Sequence, residues 1–169
     1  MSEALKTMDS LRAILSHVNE SAPACVFSDP DMNWIREEEP SGRAKLDYVP
    51  VPEHFLGDIL SKAGLDGEVT VEMLRFGVGD YIDLHKHVEV SSALLVPGCT
   101  ACVCDMFEFE IFWLEEQSAG PTKLIRTEPY CIAPNIWHRI QRIGRGDYGY
   151  ILSASTPKKD SDIRWYADE

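Results

Sequence analysis

From about residue 68 onward the chain is a succession of short β-type runs separated by turn residues, and this feature restricts its fold most. The runs are VTVEML, YIDLHKHV, SALLVPG, FEIFWL, KLIRT, YCIAP, HRIQRI and YGYILSAS. Gly77, Gly79, Gly98, Gly120-Pro121, Pro134, Gly144 and Gly146 punctuate them. Many short strands at this spacing predict an all-β sandwich or barrel. There is no internal repeat and no low-complexity segment.

The preceding part reads differently. Ala4, Met8, Leu11, Leu15 and Val18 recur at alternating steps of four and three, which makes one apolar stripe of a helix. Glu20 to Ala24 ends that stripe, with Pro23 as a breaker. Residues 29–43 are polar and turn-rich and read as a surface loop, with Glu37–Glu39 a solvated face. A second short helix is expected after Pro52, with Phe55, Leu56, Ile59 and Leu60 as its apolar face and Gly64 as its stop. The expected organisation is one domain: a helical and loop cap over 1–66, a barrel over 67–157 and a tail over 158–169. A chain of 169 residues is long enough to bury a sizeable core.

Charge narrows the partners. The net charge of −12 repels phosphate backbones and anionic membrane faces, so neither nucleic acid nor membrane is expected as a partner. The N-terminus has no basic flank followed by an apolar run, and no stretch approaches the roughly 18 apolar residues of a membrane-spanning helix. Five cysteines form no paired framework, which suits a reducing compartment; a cytoplasmic location is expected.

Chemistry concentrates in the histidines. His85 and His87 are two apart in a β-type run, so strand alternation puts both on one face with Cα atoms about 6.6 Å apart. Two imidazoles at that spacing can converge on one metal at about 2.0–2.1 Å per bond. His138 lies on a later run and can supply a third ligand from a distant strand. Imidazole suits iron, zinc, copper and nickel alike, so the ligand type leaves the metal open.

The stretch from Gly79 to His87, GDYIDLHKH, resembles the opening of the first cupin motif, G(x)5HxH. That motif continues to a Glu and then a Gly. Counting back from Gly98 and forward from His87 both give position 91, which here is Ser91. Pro134-Asn-Ile-Trp-His138 is similar to the second motif, although its Pro–His spacing is one residue short, Glu128 stands at a usual Gly, and Arg142 at a usual Asn. The resemblance covers roughly residues 68–156. It implies a double-stranded β-helix, or jelly roll, with a metal in its mouth, and a homodimer.

In most metal-binding cupins the Glu is a fourth ligand, and a neutral serine hydroxyl is a poor replacement. The resemblance therefore favours a site of His85, His87 and His138, with Glu89 as a possible substitute ligand. His87-Val-Glu89 together with His138 also spells a two-His, one-carboxylate triad. Three-His cupins include cysteine dioxygenase and diketone-cleaving dioxygenases, so the expected cofactor is one Fe(II), with Zn(II), Ni(II) and Cu(II) as alternatives. The expected partners are O2 and a small polar or anionic substrate.

Several neighbours are candidate helpers. Arg142 lies four residues past His138, on the same expected strand face, where a guanidinium could clamp a substrate carboxylate. Tyr81, Tyr148 and Tyr150 are candidate proton donors or packing residues, and Ser91 a candidate hydrogen-bond donor to metal-bound water. Arg75 and Arg126 fall on strands with undetermined facing, and alternation points Trp137 away from the metal. Cys99, Cys102 and Cys104 lie on an expected strand rather than at a helix start, so they read as buried structural thiols; Cys102 and Cys104 share one strand face, and one of these two could line the cavity.

Three functions follow: a non-haem iron dioxygenase, a redox-neutral lyase, isomerase or cyclase using a Lewis-acid metal, and a ligand-binding cupin without turnover.

Overall fold

The computed structural model describes residues 3–21, 33–38, 42–51, 56, 61, 69–98, 107–114, 120–156 and 162–169. All eight β-type runs are strands. They are β3 (Thr70–Gly77), β4 (Tyr81–His87), β5 (Ser92–Leu95), β6 (Phe107–Trp113), β7 (Thr122–Ile125), β8 (Tyr130–Ile132), β9 (His138–Arg142) and β10 (Tyr148–Ser155). Before them come helix α1 (Glu3–Ser21) and strands β1 (Ile35–Glu38) and β2 (Ala44–Pro50); after them come β11 (Ile163–Trp165) and a 3-10 turn (Tyr166–Asp168). The strands form one antiparallel sheet in the order β7-β6-β9-β4-β2-β3-β10-β5-β8, with β1 added on β2 and β11 on β4. The sheet curls nearly into a closed barrel.

Both faces of part of this sheet are covered. On β3, Val71 and Met73 face outward onto α1, while Leu74 and Phe76 face the barrel interior. On β10, Leu152 and Ala154 face out and Ile151 faces in. Helix α1 lays Leu11, Ile14, Leu15 and Val18 on that outer face, close to the stripe the sequence predicts. Double coverage explains why β5 is buried at every residue and reads as a continuous apolar run.

The sheet reaches beyond residues 67–157. The segment expected as a surface loop contains β1, exposed throughout, which pairs with β2 from Ile35↔Tyr48 to Glu38↔Lys45. Arg36 explains why β1 is held there: it reaches Asp80 at 2.8 and 3.0 Å and Asp47 at 3.1 Å. The C-terminal segment is likewise not a bare tail, because β11 pairs with the histidine end of β4. Of the helix expected after Pro52, only Leu56 and Ser61 are described, and both are helical. Cys99, Cys102 and Cys104 lie outside the described residues. No helix among the described residues is long and apolar enough to cross a membrane.

Gly79 has a local reason to be glycine. Its φ of +78° lies in the turn from β3 to β4, which Asp80 closes by donating its N–H to the Gly77 carbonyl at 3.1 Å. This turn fixes where β4, and so the histidine pair, begins.

Candidate metal centre

A β-bulge sets the histidines facing inward. Opposite β9, Ile82 pairs with Ile140 and His85 with His138, so β4 spends one more residue than β9 between the two pairs. The extra residue changes the parity of alternation. Ile82, His85 and His87 consequently all line one cavity, although Ile82 and His85 are an odd number apart. Tyr81, which simple alternation would place beside His85, is turned away and donates its hydroxyl to the Gly42 carbonyl.

His85, His87 and His138 converge. One ring nitrogen from each lies within 4.8 Å of the other two. Ring centroids are 4.3 Å apart for His85–His138, 5.2 Å for His85–His87 and 6.0 Å for His87–His138. His85 and His138 are buried, and His87 is largely so.

The neighbours fix the tautomers. His85 Nδ1 donates to the Asp83 carbonyl at 2.7 Å, and His138 Nδ1 donates to the Ile136 carbonyl at 2.8 Å. A carbonyl only accepts, so both protons sit on Nδ1 and both lone pairs on Nε2. His87 Nδ1 faces Asp162 Oδ2 at 3.2 Å, which asks for the same tautomer. Burial, aided by the nearby His87, pulls His138 down from its ordinary 6.5 to about 4, so its imidazole is neutral near pH 7. Convergent imidazoles with anchored outer nitrogens suit a divalent metal ion. Two ligands on one such ion stand about 3 Å apart, so small side-chain movements would close the ring.

The centre opens into a cavity of about 460 Å³. Leu46, Leu74, Leu94, Ile132 and Ile140 give it apolar walls; Tyr48, Glu72, Ser92, Ser153 and Ser155 add polar groups. Trp165 covers one side, with its ring centroid 5.3 Å from that of His85.

The other candidates stand elsewhere. Glu89 is exposed, in the bend after β4, and its carboxylate is not part of the cluster. Ser91 is buried but points away from the cavity: its backbone N–H donates to Thr156 Oγ1 at 3.2 Å, and alternation turns Ser92 inward instead. Arg142 does share the inward face of β9, yet lies at the opposite end of the strand from His138. There its guanidinium donates to Glu108 at 3.3 Å and to the carbonyls of Arg145 and Gly146 at 2.8 and 3.0 Å. It is committed to closing that end of the barrel and does not line the cavity.

Arg126 joins the same group, 3.7 Å from Glu108. Arg75 faces outward to Asp47 at 2.7 Å and lies over the Trp34 and Tyr148 rings, while Tyr150 packs beside Trp34. Trp137 points away from the histidines, as expected, and packs against Tyr166 and Lys86.

Sequence reasoning missed Asp162 and Trp165, which arrive from the far end of the chain and carry no local motif. It also missed Ser153 and Ser155, whose spacing of two on β10 was a readable signal for one shared face.

No protein-family model matches the chain, and no curated protein matches its sequence. Solved structures match its shape. A cupin 2 conserved barrel domain protein from Rhodopseudomonas palustris superposes with a TM-score of 0.51 at 13% identity, covering 78% of this chain and 74% of that one. A cupin-2 domain from Rhodospirillum rubrum gives 0.52 at 12% identity, covering 83% and 80%. A cupin 2 domain-containing protein from Halorhodospira halophila gives 0.50 at 20% identity, covering 83% and 81%. The fold is therefore the cupin barrel, at sequence identities that carry the fold and not a reaction.

Proposed function

We propose that this cupin-fold chain is a metal-dependent enzyme in which His85, His87 and His138 hold one divalent cation and a small oxygen-rich substrate binds that cation directly. The observation that carries this reading is the anchoring of all three Nδ1 atoms, with the three rings converging on a cavity. A structural metal site is closed by four protein ligands, whereas three leave coordination positions for substrate.

The first reading is a non-haem Fe(II) dioxygenase. It is supported by the ligand set: three imidazoles and, among the described residues, no carboxylate in the cluster. Bound iron would supply O2 activation beside the coordinated substrate. The chain's residues would do the rest. The histidines bind the ion, and the hydroxyls of Ser92, Ser153 and Ser155 orient polar groups of the substrate. Leu74, Ile132 and Ile140 exclude water. A second reading is redox-neutral lyase or isomerase chemistry with Zn(II) or Ni(II). It is favoured by Glu72, a carboxylate among the residues lining the same cavity.

The test is anaerobic reconstitution with Fe(II), metal analysis, and then O2 uptake across thiols, diketones and hydroxy acids. Substrate-dependent O2 consumption supports the dioxygenase. Stable zinc with turnover and no O2 uptake selects the second reading, and tight ligand binding with no product rejects both as enzymes. His85→Ala with undiminished metal content would remove the metal site itself.

A further inference from the structure

The segment around β11 brings a carboxylate to the histidine cluster. Asp162 immediately precedes β11, which pairs with β4 in the register Ile163↔His87 and Trp165↔His85. The side chain is buried, at 5% exposure, so its charge is not spread into solvent. Oδ1 accepts the Glu89 N–H at 2.8 Å, while Oδ2 faces His87 Nδ1 at 3.2 Å. The Asp162 carbonyl also accepts the Val88 N–H at 3.1 Å. One carboxylate thus ties the bend after β4 to the imidazole just before it. The Nδ1 atoms of His85 and His138 meet backbone carbonyls within their own local segments, whereas His87 Nδ1 meets a side chain from a residue far along the chain.

We propose that Asp162 is the positioning residue of the metal centre, holding His87 in the Nδ1–H tautomer with Nε2 turned to the cation, so that the C-terminal strand completes the site. The inference rests on the metal-binding reading of the three histidines. Its physical core is acceptor count. A carboxylate offers an acceptor to both donors, Glu89 N–H and His87 Nδ1–H. An asparagine offers one acceptor and one donor. If its oxygen keeps the Glu89 N–H, its NH2 faces Nδ1 and demands the Nε2–H tautomer, which blocks the metal-binding nitrogen. If it rotates, two donors meet at Glu89. Asp162→Asn is nearly isosteric, so it alters this hydrogen-bond logic with little change in packing.

The experiment uses the full chain and three readouts. Zn(II) affinity is measured by competition with a chelator. The His87 tautomer is read by long-range 1H–15N NMR on the metal-free protein. Thermal unfolding of the metal-free protein reports the fold. The expected result for Asp162→Asn is a loss of Zn(II) affinity of about 10–100-fold. His87 should shift to the Nε2–H tautomer, and the metal-free unfolding temperature should stay close to the parent value. Asp162→Glu, which keeps two acceptors, should recover part of the affinity and the Nδ1–H tautomer.

Parent affinity and tautomer in Asp162→Asn would overturn the inference. So would an affinity loss that tracks a fall in unfolding temperature and is not restored by Asp162→Glu, because that marks a merely structural residue. The two levels separate cleanly. If His85→Ala keeps its metal, the centre itself is wrong. If His85→Ala loses metal while Asp162→Asn behaves as the parent, only the role of Asp162 falls.

Discussion

Acidifying the metal-free protein should remove stability through His138 in a window set by its burial. The ring is 2% exposed, so solvent screens little of the effect, and burial lowers its pKa from 6.5 to about 4. Below pH 6.5 the unfolded chain takes up a proton that the folded ring refuses. The unfolded state therefore binds more protons, and stability falls as the pH drops from about 6.5 toward 4. At about 1.4 kcal/mol per pH unit, the gap sets a ceiling of about 3 kcal/mol, large against the 5–15 kcal/mol typical of whole domains. The assay is urea unfolding of chelator-treated protein at half-unit steps from pH 7.5 to 4, on the parent and on His138→Gln, which cannot titrate there. The parent should lose on the order of 3 kcal/mol more than the variant across the window. Equal slopes in the two proteins would refute the argument, since some other group would then be taking up the proton.

Three further outcomes follow. Arg142→Met leaves Glu108, 7% exposed, beside a more distant Arg126 and should cost about 3–5 kcal/mol in chemical denaturation; Zn(II) affinity should be unchanged, and a stable variant that loses metal would return Arg142 to the site. Gly149→Ala puts a Cβ 2.9 Å from both Phe109 Cζ and Arg142 Nε and should destabilise by about 1–3 kcal/mol, read by thermal unfolding; a neutral effect would mean this end of the barrel yields. Asp80→Asn weakens the Arg36 fork and should cost about 2 kcal/mol at neutral pH. Burial opposes the charge of Asp80, but Arg36 and the Gly77 N–H outweigh it and hold the carboxyl below its ordinary 3.8. The parent's advantage over Asp80→Asn should accordingly persist above that value and fade as the pH falls below it, which paired denaturation curves will show.

The barrel was legible where the signals are local. Alternation and turn residues mark all eight runs from β3 to β10, and the spacing of two between His85 and His87 survives folding because both follow the bulge. What escaped depends on partners far along the chain. The β2 segment alternates Ala44, Leu46 and Tyr48 inward, but it falls within residues 1–66, where helix and loop and no strand were expected. β1 is a strand through its pairing with β2, and Arg36 against Asp47 and Asp80 ties it there. β11 is three residues long and has no pattern apart from its pairing with β4. The errors around the site are errors of parity and of distance. The bulge turned Tyr81 away, and the cavity takes Ser92 rather than Ser91.

Arg142 shows how a correct face can carry the wrong role. It shares the inward side of β9 with Ile140 and His138, but four residues at about 3.3 Å each put it some 13 Å along the strand. At that distance it meets Glu108 and, with Phe76 and Phe109, closes the barrel's far end. The barrel is thereby polarised, with a charged and aromatic plug at one end and imidazoles at the other. The consequence for substrate is chemical. With Arg142 committed to the plug, the counter-charge a ligand would meet at the centre, on the proposed reading, is a cation held by the histidines. The cavity walls add hydroxyls from Tyr48, Ser92, Ser153 and Ser155 and the carboxylate of Glu72. On that reading such a wall would suit a molecule with one chelating end and a hydroxyl- or amine-bearing remainder.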